Sequence, residues 1–372
     1  MSQSTTTDIK QGNYLNIYRL FFQHDQLSKT QIARLLDLSL PTIMNNISQL
    51  EQEGKIQEVG VFTPQGGRPA TAYQLVNDAV VSIGVEIQAR SVRCATIDLK
   101  GDIIKLENRP LAFVNSQNYI VILSQFINEF INGQQYQPAQ ILGVGISFQG
   151  IANKNGQSIL YGEILPYDYL TSANLQSYLG YPIVLLHDVK CAASAELWLS
   201  SSKVNNAIYV SISEHLGGAL IVNHRVNYGK QGYSGALEHI CVGDKGKRCY
   251  CGQIGCLETY CSLTALLENK ETLSQFFETL RAGNTTVRLR WQNFLNYLAK
   301  AINTAYLLLE RDIILGGEIA PYLKDTDIAI LVQLVKQRHP FALPDDFIRI
   351  SSVQNNASLV GAGFYFIRQA RP

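Results

Sequence analysis

Charge is scarce in this chain. Of 372 residues only 16% are Asp, Glu, Lys or Arg, and 31 basic against 30 acidic side chains leave a formal net charge of +1. So neutral a protein has no global attraction for a polyanion, and nucleic-acid binding must rest on a local motif. Long hydrophobic runs are missing too. No segment approaches the roughly 18–20 consecutive apolar residues of a membrane span, so no membrane insertion is expected. Residues 1–7 are polar with no apolar core behind a basic end, which argues against a secretory signal and makes the cytoplasm the expected location. Seven cysteines are too few for a disulfide scaffold. The apolar fraction, 46%, excludes a disordered chain, and at about 150 residues per domain the length suggests two or three domains.

Residues 1–78 read as three helices and a hairpin. Leu15, Ile17, Tyr18, Phe21 and Phe22 lie at helical spacing. Ser28-Lys29-Thr30-Gln31 has the form of a capping box, and the helix it opens is expected to bury Ile32, Leu35 and Leu36. After a short turn, Ser39 can cap a third helix with Pro41 in its first turn, ended by Gly54. Its inward stripe is Ile43, Ile47 and Leu50. The opposite face shows Thr42, Asn45, Asn46 and Gln49, uncharged side chains that both donate and accept, as base-edge reading in the major groove requires. Two short strands then flank a Gly/Pro-rich tip, a wing whose Arg68 suits a narrow minor groove. Together these describe a winged helix-turn-helix. The plainer alternative is a small helical domain that binds protein. Six Lys/Arg against seven Asp/Glu make a weak phosphate footprint, so a dimer is needed for useful affinity on double-stranded DNA.

From Ala79 the texture changes to apolar strands. Meander, helix, strand, helix, strand is performed twice, which implies two similar α/β lobes with a cleft between them. A single open sheet fits the early antiparallel hairpins less well. Four cysteines crowd between Cys241 and Cys256 beside His239. Cys249, Cys251 and Cys256, spaced by Gly252 and Gly255, with His239 as fourth ligand, form a donor set that Zn²⁺ prefers. Full ligation makes the ion structural. Cys241 and Cys261 remain alternative ligands, and free buried thiols are the alternative to a metal.

The run Gly246-Lys247-Arg248-Cys249-Tyr250-Cys251-Gly252-Gln253-Ile254-Gly255-Cys256-Leu257-Glu258-Thr259 resembles the zinc signature of the ROK family (repressors, open reading frames, kinases). With the winged helix and Gly66-Gly67-Arg68-Pro69, the whole chain resembles its NagC/Mlc/XylR-type transcriptional repressors. The resemblance implies an α/β, two-lobed actin-like domain of the sugar-kinase/ribonuclease H-like kind. The expected units are a DNA-binding domain over 1–78, a first lobe over 79–190 completed by a C-terminal helix at 356–370, and a second lobe with the zinc loop over 191–355. It also implies a homodimer or homotetramer and regulation by a small-molecule sugar or a protein partner.

Relatives in this family also phosphorylate sugars, and particular residues separate the two roles. Where a kinase needs a Gly-rich turn for ATP phosphates, this chain has Glu86-Ile87-Gln88-Ala89-Arg90-Ser91. The second phosphate turn, Ser213-Glu214-His215-Leu216-Gly217-Gly218, is degenerate as well, so the expectation is no enzyme and no catalytic residue. The sugar half is partly kept. The resemblance assigns sugar contacts to Gln149 and Gly150, to His187 and Asp188, to His239, and to Glu258. The family's Gly-Glu-x-Gly-His is Gly235-Ala236-Leu237-Glu238-His239 here, so either Glu238 replaces the missing glutamate or the ligand lacks the hydroxyl it would hold. With Lys190 near, an acidic sugar is a further option. The expected function is a sugar-responsive DNA-binding regulator of carbohydrate-utilisation genes.

Overall fold

Two serine caps set the geometry of the N-terminal unit. In the computed structural model, which describes residues 6–63, 69–153, 155–162, 164, 167–200 and 204–371, α1 (Thr6–Gln23) leads into α2 (Lys29–Leu36) and α3 (Leu40–Gln52). Ser28 accepts from the Gln31 N–H, and the Gln31 side chain accepts from the Ser28 N–H at 2.8 Å. Asp37, in the left-handed region, ends α2, and Ser39 caps α3. Ile43, Ile47 and Leu50 have no exposed surface and pack with Ile17, Phe21 and Ile32. Leu35 is a correction: it is 53% exposed, and Leu36 takes the inward place. At about 100° per residue Leu36 lies on the side of Ile32 that Ala33 shares, whereas Leu35 falls on the other side and faces out. Strands β1 (Ile56–Val61) and β2 (Thr71–Leu75) pair antiparallel as the wing, while Arg68 at its tip lies outside the described residues.

Beyond the wing one sheet design is built twice. The strands β3 (Val81–Ile87), β4 (Ser91–Ile97), β5 (Ile103–Pro110) and β6 (Ile141–Phe148) are followed by a small hairpin, β7 (Ile151–Ala152) and β8 (Ile159–Tyr161), and then by β9 (Ile183–His187). The first sheet runs β5-β4-β3-β6-β9, with antiparallel pairing up to β3 and parallel pairing after it. The second, of β10 (Ala207–Ile212), β11 (Leu216–Ile221), β12 (Val226–Asn227), β13 (Asp312–Gly316) and β14 (Ile348–Ile350), repeats it as β12-β11-β10-β13-β14. A single open sheet is thereby excluded.

Helices α4 (Gln117–Asn132) and α5 (Ser172–Leu179) cover the first sheet, with Leu123, Phe126, Ile127 and Phe130 of α4 buried in its core. Helix α6 (Asp188–Leu199) leaves the tip of β9. After the short α7 (Glu258–Cys261) and α8 (Leu263–Leu266), helices α9 (Leu273–Arg281), α10 (Thr285–Leu309) and α11 (Asp325–Lys336) build the second core around Trp291 and Phe294.

The last helix, α12 (Ala357–Ala370), lies against β3, β4, β6 and α6. It comes unusually close: a Cβ on Gly145 would fall 1.9 Å from the Ala362 carbonyl oxygen, and one on Gly84 2.3 Å from that of Leu359. Phe364 and Ile367 of the same helix join the winged-helix core, sharing a cluster with Ile17 and Phe21, and Leu199 at the end of α6 packs on its edge. Glu196 of α6 is fully buried and accepts from Arg349 at 2.6 Å, the Ser351 hydroxyl at 2.8 Å and the Val353 N–H at 3.1 Å. Burial raises its pKa, but these hydrogen bonds outweigh burial and hold it below the ordinary value. Helix α6 is therefore close-packed against α12 and pinned by charge to β14 and the segment that leads into α12. Among the described residues no helix is long and apolar enough to cross a membrane.

Candidate ligand cleft, metal centre and nucleic-acid interface

The ends of β6 and β9, the start of α6, the β10–β11 turn and the 3-10 turn Leu237–His239 converge on a 410 Å³ cleft. Gln149, Gly150, His187, Asp188, Glu238 and His239 all line it. Asp188 is the first residue of α6, and its Oδ1 accepts from the Val189 N–H at 2.7 Å, so it both starts the helix and faces the cleft. Burial pushes its pKa up to about 7, with Glu86 adding to the rise. Glu238 is 6% exposed, its Oε2 has no partner among the described residues, and burial pushes it up to about 8. A buried carboxyl oxygen with no partner is costly unless something supplies a hydrogen bond. His187 Nε2 lies 3.3 Å from Asp188, but burial lowers the ring's pKa to about 3, so the contact is not an ion pair.

Glu258 does not line the cleft. Its Oε1 is 2.7 Å from His215 Nδ1 and its Oε2 accepts from the Leu216 N–H at 2.7 Å, which uses both oxygens behind the wall. The residue that faces the cleft in its stead is His215, whose pKa is raised by the Glu258 hydrogen bond despite burial. Tyr250 lies edge-on to both His215 and His239, at centroid distances of 5.9 and 5.2 Å. Tyr161, Ser211, Ser213, Tyr233 and Gln253 add to the polar lining. Sequence reasoning missed these residues; the signal available was a histidine inside a turn where glycine belongs. Lys190 turns away from the cleft. It donates to the Gly232 carbonyl, lies over the Tyr228 ring at 4.9 Å, and opens on a separate 120 Å³ cavity.

The cluster His239, Cys249, Cys251 and Cys256 forms one wall of the cleft's surroundings, and its ligand atoms all lie within 4.8 Å of one another. The Cys251 and Cys256 sulfurs are 3.7 Å apart, as are Cys249 Sγ and His239 Nδ1. A disulfide needs about 2.05 Å, whereas the edges of a tetrahedron with metal–sulfur bonds of about 2.3 Å are roughly 3.8 Å. The donor set fits a structural metal. The loop closes because Gly255 adopts φ +90°, with the position of a Cβ 1.7 Å from the Gly243 carbonyl oxygen. Cys241 and Cys261 are outside the cluster: the former is exposed, and the latter donates to the Phe294 carbonyl at 3.4 Å.

Across Asp188 and Ser213 a second, larger cavity of 980 Å³ opens, lined by Glu86, Glu214 and Glu318. Arg93 bonds Glu86 through Nε at 2.7 Å and Asn356 through Nη1 at 2.7 Å, tying the mouth of the first turn to α12. The Glu318 carboxyl is raised by burial and by Glu86 and Glu214. This is the place where the sequence lacks the glycines of a phosphate turn, and carboxylates fill it.

On the N-terminal unit, Asn45 and Gln49 are exposed on α3, and Thr42 and Asn46 are half-buried. Asn46 donates to the Thr42 carbonyl at 2.8 Å and Gln49 to Glu53 at 2.8 Å, which leaves Asn45 the most available of the four. Met44 and Leu40 are exposed on the same helix, at 54% and 47%.

Comparison with known proteins gives this arrangement a lineage. Residues 82–369 match the ROK family, and residues 15–57 match winged helix-turn-helix DNA-binding. The chain belongs to the ROK family. A ROK relative, the xylose repressor of Caldicellulosiruptor bescii, is 26% identical over 290 residues, 77% of this chain and 71% of that protein. The DNA-binding transcriptional dual regulator NagC of Escherichia coli K12 is 27% identical over 263 residues, 69% of this chain and 64% of its own length. Among solved structures, a ROK family transcriptional regulator homologous to E. coli Mlc superposes with a TM-score of 0.76 at 22% identity, covering 97% of this chain and 96% of that one. A ROK family glucokinase from Streptomyces griseus, in complex with glucose and AMPPNP, gives 0.65 at 18% identity, covering 77% of this chain and 98% of that one. The regulator and glucokinase structures thus share the two-lobed fold, and of these two the regulator's match takes in the N-terminal unit.

Proposed function

We propose that this ROK-family protein is a DNA-binding transcriptional repressor of carbohydrate-utilisation genes, controlled by a sugar in the 410 Å³ cleft, and not an enzyme. The observation that carries the reading is the asymmetry of the inter-lobe space. The ligand end keeps unsatisfied buried polar groups, while the nucleotide end is lined with Glu86, Glu214 and Glu318, which oppose polyphosphate. The repressor names of the relatives point the same way.

In this reading Thr42, Asn45, Asn46 and Gln49 read base edges and Arg68 enters the minor groove, with 1–78 as the DNA-binding unit. A homodimer or homotetramer supplies two such heads, because a weakly basic head needs a second half-site. Gln149, Gly150, His187, Asp188, Glu238 and His239 hold the sugar. His239, Cys249, Cys251 and Cys256 hold zinc, which as a Lewis acid with four protein ligands fixes the loop without taking part in chemistry. Cytoplasmic operation follows from a DNA target.

A route from cleft to head is built of packed elements. Asp188 begins α6, α6 packs on α12, and Phe364 and Ile367 of α12 are embedded in the winged-helix core. A ligand that preferred one placement of Asp188 would bias the seating of the heads, and affinity for paired half-sites is steep in their spacing. The test is a gel shift on the protein's own upstream region with a titrated sugar panel. Release or tightening by one sugar is expected, and no response to any sugar contradicts the reading. ATP-dependent phosphorylation of any panel member contradicts the assignment as a non-enzyme.

A further inference from the structure

The charge of the ligand follows from what lines its cleft. Among the described lining residues of the 410 Å³ cleft there is no lysine and no arginine. A phosphate ester brings nearly two negative charges at neutral pH, and burying them requires paired cations or several N–H donors. Among the described residues, the cations nearest the cleft face other cavities. Lys190 is held by the Gly232 carbonyl and the Tyr228 ring, facing another cavity. Arg93 is bound by Glu86 and Asn356, and Arg90 lies with it in the 980 Å³ cavity, beyond Asp188. The carboxyls of Asp188 and Glu238 repel an anion when ionised, and when protonated offer one O–H donor each, which does not balance the two charges of an ester.

His215 completes the picture. Consecutive side chains of the β10–β11 turn face opposite ends: Glu214 lines the 980 Å³ cavity and His215 the 410 Å³ cleft. Glu258 sits 2.7 Å from Nδ1, so any positive charge on the ring is already balanced, and Nε2 is the ring atom left for a ligand. Tyr250 meets the ring edge-on and limits its rotation.

We propose that the cleft takes an uncharged, unphosphorylated sugar, and that His215 is the ligand-contacting residue that closes it toward the nucleotide end. The proposal rests on the sugar reading above. It divides sugars by one chemical feature, the presence of a phosphate, and assigns that selection to a residue standing where a phosphate turn would have glycine.

The experiment is titration calorimetry on full-length, metal-replete protein with matched pairs: glucose and glucose 6-phosphate, N-acetylglucosamine and its 6-phosphate, ribose and ribose 5-phosphate, with xylose added. At least one free sugar is expected to bind, with its ester at least ten-fold weaker. An ester that binds as tightly as its parent, or more tightly, overturns this proposal and leaves the sugar reading intact. Failure of every compound to bind overturns both. For the sugar that binds, His215→Gly is expected to cost ten-fold or more in affinity and to narrow the gap to the ester, and His215→Gln to recover part of the loss. Metal content and the circular-dichroism spectrum serve as folding controls. Unchanged sugar affinity in a folded His215→Gly protein overturns the role of His215.

Discussion

The two ends of the inter-lobe space share a wall and have opposite chemistry. Gln149, Asp188, Ser211 and Ser213 line both cavities. On one side of them lie aromatic rings, a sulfur-rich loop and a buried carboxyl with an open hydrogen-bonding position. On the other lie three glutamates and two arginines, of which Arg93 is already bound to Glu86 and Arg90 is exposed at the rim. A phosphoryl-transfer enzyme needs both ends at once, one to hold the acceptor and the other to hold the polyphosphate. Under the function proposed above, losing one end while keeping the other leaves a fold that recognises without transferring, as a sensor requires.

Four changes break or sharpen this contrast. The largest effect is expected from the metal loop. Cys249→Ala with Cys256→Ala removes two of four ligands, and exhaustive chelation removes any bound ion; either should abolish zinc retention and sugar binding together, read by elemental analysis and calorimetry, because a zinc held there would organise Tyr250 and His239 beside the cleft. Next, Asp188→Ala should weaken the sugar by about ten- to hundred-fold, as expected for a charged hydrogen bond worth ~1.5–3 kcal/mol. Ligand-free operator binding should survive. On the DNA side, Asn45→Ala should cost about 1–3 kcal/mol of operator affinity in a sequence-dependent way and leave sugar binding alone, measured by fluorescence anisotropy on operator variants.

The smallest effect is on stability. An ordinary aspartate titrates near 3.8 and Asp188 is pushed up to about 7 in the fold, so between these values the folded state holds a proton that the unfolded chain has released. Stability therefore falls as pH rises through that window. Asp188→Asn should flatten this part of the thermal-denaturation profile and raise ligand-free stability near pH 8, by well under the ~4 kcal/mol the full shift would carry, because the carboxyl is 26% exposed and screened by solvent.

Much of this was legible in the sequence because it is local. Ser28 and Gln31 are three residues apart and form their capping box wherever the helix goes. Cys249, Cys251 and Cys256 need only a short loop and Gly255 to meet. The twofold strand pattern carried the two sheets for the same reason, since alternation and apolar runs are read within each strand. What was hidden is tertiary. Glu258 and His215 are 43 positions apart, and nothing in their spacing says that one will occupy the other's carboxylate and take its place at the cleft. Lys190 looked like a cleft cation because it is two residues from Asp188, but on α6 a two-residue step turns a side chain to another face. Leu35 misled because an apolar residue at helical spacing was assumed to find a partner.

The central claim is that the cleft senses and the helix-turn-helix responds. It is tested most directly by measuring operator affinity for wild-type protein and Asp188→Asn, each with and without saturating amounts of the sugar that calorimetry identifies. The account predicts a change of ten-fold or more in the wild type and none in the variant, with equal affinities when sugar is absent. A wild-type affinity that the bound sugar leaves unmoved would contradict it.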